Sequence, residues 1–278
     1  MRLGVRAHDF GKRPPDELAP RIRAQGFDCV QIALAKTLPD FEPDAGRLSP
    51  GLAVHVREAL QRHGVRIAVL GCYINLADPD ATTRSRQLGR FKEHLRFARD
   101  FGCSVVATES GSLNADFSWH ADNHGEAAFQ AVAGSVRELV AEAEKFGVFV
   151  GIEGVERYVI SSPKRLRRLL DDIASPNLQV VFDPVNLLSA KNHRSQAAII
   201  EESLALFGER IVILHAKDFV VREGRLVSVA AGQGKLDYEL LFRLVKRQKP
   251  FLEVVLEDVQ PATVAESVAF VRKVWDRA

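Results

Sequence analysis

Cysteine is scarce in this chain of 278 residues: Cys29, Cys72 and Cys103 are the only three, and no Cys-x-x-Cys pair occurs. That excludes a disulfide framework and a cysteine-rich zinc site, and it suits a reducing cytoplasm. An excess of charge is missing too, since 38 Lys and Arg face 36 Asp and Glu for a formal +2. Such a chain has no overall field to draw nucleic acid or anionic lipid, so neither is expected as a partner. No stretch approaches the ~18 uninterrupted apolar residues that cross a bilayer, and the N-terminal MRLGVRAHDF has no apolar signal region. No Gly-x-Gly-x-x-Gly follows an early strand, which removes the dinucleotide-binding fingerprint. Low-complexity segments and linkers are lacking as well, so one domain over residues 1–278 is expected.

What remains is 46% hydrophobic and 27% charged residues, the balance of a globular protein with a large core. The apolar residues fall into eight strand-then-helix units. Short Val- and Ile-rich runs such as VFVGIE, QVVFD, IVILH and VVLE read as buried parallel strands, and each is followed by a polar loop and a 3.6-residue pattern. The first strand reads as RLGVRAHDF and the third helix as Thr82 to Phe101. Ser162 followed by Pro163 reads as an N-cap and first helical position, and Gly26, Gly64, Gly102 and Gly147 as helix stops. No convincing strand–strand hairpin interrupts the alternation. Eight such units favour closure into a single (β/α)8 TIM barrel of the α/β class.

In that architecture the C-terminal strand ends converge on one mouth, so the last polar residue of each strand gains weight. These are His8, Gln31, Asn75, Glu109, Glu153, Asp183, His215 and Glu257. A lone acid at a strand end usually caps a helix or binds a loop. Carboxylates in consecutive units are different, because crowding them at a low-dielectric mouth is costly without a cation. Glu153, Asp183, His215 and Glu257 make an oxygen-rich, borderline-hard set for one divalent ion, Mn, Co, Mg or Zn. Lys217 lies two residues beyond His215 on the same strand face, placed for a substrate oxygen or for pairing with an acid. Asn186 reads as a substrate contact or a helix cap. GQGKLD, residues 232–237, reads as a tight turn in preference to a phosphate cradle, and His120 and His124 read as loop histidines beside the rim aromatics Phe117, Trp119 and Tyr158.

With Glu153, Asp183, HAKD from His215 to Asp218, and Glu257 in place, the chain resembles the sugar phosphate isomerase/epimerase group of the xylose-isomerase-like barrels. The resemblance runs over essentially the whole chain, most clearly through VGIEG, FDPVN, LHAKD, GQGKLDY and VVLED. It implies one divalent metal, manganese foremost, held by Glu153, Asp183, His215 and Glu257, with Glu153 and Glu257 doubling as the acid/base pair. The implied reaction is proton abstraction next to a carbonyl of a small carbohydrate through an enediolate. His8, Gln31, Asn75, Glu109, Asn186 and Lys217 would contact substrate. Two positions depart from ketose 3-epimerases: Asn186 stands where a His usually follows the Asp ligand, and Gln31 where strand two usually ends in Glu. A keto-inositol (inosose) dehydratase-type lyase uses the same chemistry and is the alternative.

Two rivals come from other classes. An endonuclease IV-like DNA-repair enzyme needs three zinc ions and further histidines, and this chain offers Tyr73, Asn75, Glu109 and Asn186 at those places. A non-catalytic sugar-binding barrel is the other. The sequence leaves the substrate and a homo-oligomeric state open.

Overall fold

A computed structural model of the chain describes residues 1–42 and 44–278. The strands, in chain order, are β1 (Arg2–Arg6), β2 (Cys29–Ile32), β3 (Arg66–Gly71), β4 (Val105–Glu109), β5 (Phe149–Glu153), β6 (Leu178–Phe182), β7 (Ile211–Ala216), β8 (Asp218–Arg222), β9 (Arg225–Val229) and β10 (Glu253–Leu256). Eight of them close in the order β1-β10-β7-β6-β5-β4-β3-β2, every pair parallel. The expected (β/α)8 barrel is the fold.

The helices are α1 (Pro15–Ala24), α2 (Leu34–Thr37), α3 (Pro50–Gln61), α4 (Ala81–Phe97), α5 (Glu126–Phe146), α6 (Pro163–Ile173), α7 (Gln196–Phe207), α8 (Tyr238–Gln248) and α9 (Val264–Arg277). They form because one stripe of each is apolar. In α5, Phe129, Val132, Val136, Leu139 and Ala143 recur at helical spacing and are all buried. Ser162 caps α6 as the sequence implies, its hydroxyl accepting from the Arg165 amide at 3.4 Å, ahead of Pro163. Helix α4 ends at Phe97, four residues before the expected Phe101, and the chain runs through a turn to Gly102.

The barrel interior is filled by small and branched side chains, Ala68, Val69, Val105, Ala107, Val181, Ile213 and Val255. It is a packed core and not a channel. Gly151 on β5 belongs to that layer, since a Cβ there would lie 3.0 Å from Val181 and 3.2 Å from Ala107.

Two segments differ from expectation, and both shape the mouth. The first strand stops at Arg6, and Ala7–Phe10 turns as a 3-10 helix, so Arg6 and not His8 is the last residue paired in the sheet. The connection after β7 is not a single loop. Its residues fold back as the antiparallel ribbon β8–β9, in register from Asp218 opposite Val229 to Arg222 opposite Arg225. Glu223 and Gly224 both have positive φ, 50° and 73°, which is the two-residue turn whose twist matches paired strands.

Candidate metal centre and active site

Glu153 ends β5, Asp183 follows β6, His215 lies near the end of β7 and Glu257 follows β10, so four strands that neighbour one another in the barrel deliver them to one point. All four are buried. Glu153, Asp183 and His215 each bring a ligand atom to within 4.8 Å of the others. Glu257 sits beside this group, its Oε1 3.3 Å from His215 Nδ1, while Glu153 Oε1 lies at 3.3 Å from the same nitrogen.

The imidazole is oriented by an amide. Gln31 Nε2 donates to the Tyr73 hydroxyl at 2.8 Å, which turns Gln31 Oε1 toward His215 Nε2, also 2.8 Å away. A carbonyl oxygen only accepts, so Nε2 carries the proton. The Nδ1 lone pair of the neutral ring then points into the carboxylates, the tautomer a metal ligand needs. Gln31, read from sequence as a substrate contact, thus has both ends of its amide engaged by protein. Asn186 behaves similarly: its Nδ2 donates to Glu153 Oε1 at 2.6 Å and its backbone N–H to Asp183 Oδ1 at 3.1 Å. It caps no regular helix.

Buried carboxylates need compensation, and cations supply it here. Lys217 Nζ lies 2.9 Å from Asp183 Oδ2 and 3.1 Å from Glu257 Oε2. Arg6, from the shortened β1, reaches Glu257 Oε2 at 3.6 Å and Asp258 at 2.7 Å, and also pairs with Asp9. Burial works against ionising Glu257, but His215, Lys217 and Arg6 outweigh it and hold its carboxyl well below the usual range. Burial likewise opposes a charge on His215, and Glu257 and Glu153 overcome that to push the ring up to about 9. Burial pushes Asp183 up to about 6; its Oδ1 accepts from the Val185 and Asn186 amides, and its Oδ2 faces the Lys217 ammonium at 2.9 Å.

These residues fit a single divalent ion. Two carboxylates and an imidazole whose Nδ1 faces them, with one ligand atom of each within 4.8 Å of the others, form a hard–borderline donor set once the ring gives up its Nδ1 proton.

The other expected site residues divide. Glu109 ends β4 opposite Glu153, and burial together with Glu153 and Glu257 pushes it up to about 7. His8 is held neutral, pulled down to about 4 by burial and by Arg6 and Lys36, and its Nδ1 lacks a partner. Asn75 is spent elsewhere: it donates to the Ser112 and Asn114 carbonyls and accepts from the Ala77 and Ser112 amides, tying the loop after β3 to the loop after β4. The GQGKLD segment is a turn, with the amides of Gly232 and Leu236 bonded to the Asp218 carboxylate. His120 and His124 bond to the Asp122 amide and the Glu156 carbonyl on the rim. Phe117 and Tyr158 pack with ring centroids 6.2 Å apart, and Trp119 is 60% exposed. Arg6, Asp9 and Lys36 belong to the mouth without any mark in the sequence, and Tyr73, noted there only as standing where a rival class needs a histidine, holds the Gln31 amide. A strict period-2 reading of RLGVR would have found Arg6; nothing local marks Lys36.

The model of a family described as a xylose isomerase-like TIM barrel matches residues 20–274. No curated protein sequence matches the chain. Among solved structures, 3-keto-D-glucoside 4-epimerase from E. coli superposes with a TM-score of 0.72 at 18% identity, over 98% of this chain and 99% of that one. D-psicose 3-epimerase, solved in the presence of D-fructose, gives 0.75 at 15% identity over 99% of each chain. The IOLI protein with a bound zinc atom gives 0.73 at 18% identity over 99% of this chain and 96% of that one. At these identities the likeness is one of fold.

Proposed function

Since the chain belongs to the xylose isomerase-like TIM barrel family, we propose that it is a divalent-metal-dependent isomerase or epimerase of a sugar or sugar derivative, acting by proton transfer next to a carbonyl. The observation that carries this reading is the buried Glu153–Asp183–His215 cluster with Glu257 beside it. The similar folds of the two sugar epimerases support it. Glu153, Asp183, His215 and Glu257 would hold the ion, manganese being the expected one and zinc the one bound in the IOLI protein. When bound, it supplies Lewis-acid polarisation of the substrate carbonyl, which acidifies the neighbouring carbon.

The chain's own groups do the rest. Glu153 and Glu257 come from strands separated in the barrel by β6 and β7, so they approach the substrate from different sides, one removing the proton and the other returning it. Asn186 steadies Glu153 Oε1 and leaves Oε2 for the proton. Lys217 faces the developing charge on a substrate oxygen, and Glu109 with its proton donates to a hydroxyl. A dehydratase would share the first proton abstraction and then expel a β-hydroxyl. The protein would work in the cytoplasm on a free small carbohydrate, its three cysteines unpaired.

Incubation of the metal-loaded enzyme with keto-sugars and keto-glycosides in D2O tests the proposal. Deuterium is expected at the carbon next to the carbonyl and nowhere else, with Glu153→Gln or Glu257→Gln lowering turnover by roughly 10²–10⁴. A product lighter by one water identifies the lyase. Conversion without solvent deuterium, under conditions where reprotonation is slower than exchange, contradicts the proton-transfer scheme.

A further inference from the structure

A tyrosine just outside the ligand set has one hydrogen-bonding capacity unused. Tyr73 follows β3 by two residues and is held from four sides. Its backbone carbonyl accepts from the Arg90 guanidinium at 2.5 Å, and its ring lies against Gly71, where a Cβ would stand 3.3 Å from Tyr73 Cε2. The Lys36 ammonium covers the ring, 4.1 Å from its centroid, and Gln31 Nε2 donates to the hydroxyl at 2.8 Å. Strands β2 and β3 and helices α2 and α4 thus fix the phenol.

What the hydroxyl can do follows from His215. Its Nε2 carries a proton whether the ring is charged or is a neutral ligand through Nδ1, so Gln31 turns Oε1 to that nitrogen and Nε2 to Tyr73. The phenol oxygen therefore accepts from Gln31, and its own O–H finds no acceptor among the described residues. Burial, with the charges of Glu257, Glu153 and Glu109, pushes the group well above the ordinary phenol value, so the proton stays in place at neutral pH. The half-buried O–H is left to donate to what enters the mouth. Its place says to which part. His215 Nδ1 faces the Glu153 and Glu257 carboxylates at 3.3 Å, while Tyr73 lies beyond the opposite nitrogen, across the Gln31 amide. It addresses atoms away from the metal-facing side of the ring.

We propose, resting on the sugar isomerase or epimerase reading, that Tyr73 determines specificity: its hydroxyl donates to a hydroxyl oxygen of the substrate outside the reacting carbons, and so selects a polyhydroxylated keto-sugar over its deoxy forms. A donor with no partner in the protein favours the substrate that brings an acceptor and gains nothing from one that lacks it. Tyr73→Phe isolates this contact, since it keeps the ring against Gly71 and under Lys36 and removes only the O–H. It also frees Gln31 Nε2, so bound metal is read separately.

The test uses the metal-loaded full chain and the keto-sugar or keto-glycoside that reacts best in the deuterium experiment, with its monodeoxy analogues at each hydroxyl outside the reacting carbons. The measured quantities are kcat/KM for wild type and Tyr73→Phe at saturating metal, and bound metal by elemental analysis. In Tyr73→Phe the parent sugar should fall roughly 3–10-fold in kcat/KM, the loss of one neutral hydrogen bond, while one analogue stays within about twofold of wild type. The metal should be retained. Equal losses on the parent and every analogue mark a purely structural role through Gln31 and overturn the proposal, as does an unchanged parent. The two readings fail separately. If no keto-sugar or keto-glycoside reacts, the isomerase reading falls and this inference with it; if one reacts and Tyr73→Phe shows no selective loss, this inference alone falls.

Discussion

Gln31 and Asn186 carry no charge, yet they set which atoms of the site are free. Gln31 fixes the His215 ring through Nε2 and is itself held by Tyr73, so its removal should loosen the ligand without touching the metal. Gln31→Leu is expected to weaken metal affinity by roughly 10–100-fold, the usual effect of losing such a partner. Competition against a chelating indicator measures it, and unchanged affinity would contradict the role. His215 gives a second prediction. In the metal-free protein its pKa is raised to about 9, so the stabilisation its charge provides is complete below the ordinary ~6.5 and lost as pH rises through about 9. A metal ligand must be neutral, so binding near pH 7.5 should release about one proton per ion. Calorimetric titrations in buffers of different ionisation enthalpy read this number directly, and no buffer dependence would show the ring already neutral. Glu153, Asp183, His215 and Glu257 were legible in the sequence because each closes an apolar run. Arg6, Asp9 and Lys36 were not, because their place at the mouth depends on where β1 stops and on a four-residue helix inside a polar loop.

At the scale of elements, the end of α5 at Gly147 and the start of α6 at Ser162-Pro163 could be read from their caps, and the barrel strands from their Val- and Ile-rich runs. The β8–β9 ribbon could not. Its turn is Glu223-Gly224 and not the Asn-Gly or Asp-Gly that marks a tight hairpin, and DFVVR runs on from β7 as though it were one strand. What holds the segment is Asp218, whose carboxylate gathers the amides of Phe219, Gly232 and Leu236. The chain passes so close that a Cβ at Gly234 would lie 2.3 Å from Asp218 Oδ1 and from the Phe219 carbonyl oxygen. Gly234→Ala should therefore destabilise the fold by about 1–3 kcal/mol, the scale of overpacking a tight site. Urea unfolding measures it; a loss under about 0.5 kcal/mol, the range of ordinary surface changes, would contradict this tight approach.

For the whole molecule, a closed parallel barrel brings residues 153, 183, 215 and 257 together although up to 104 positions separate them, and only that topology makes their sequence spacing meaningful. Near-neutral charge bears on partners: with 38 basic against 36 acidic residues, duplex DNA containing abasic sites should be neither bound tightly nor incised at physiological salt. Incision that disappears in Glu257→Gln would replace the sugar reading. The claim on which the rest depends is that these four strand ends hold one divalent ion. Elemental analysis of purified protein after chelation, metal add-back and desalting tests it most directly. The account predicts about one ion per chain, falling to a small fraction in His215→Ala, since losing one of four ligands removes most of the site's affinity. Two or three tightly held zinc ions per chain, or an undiminished content in His215→Ala, would contradict it.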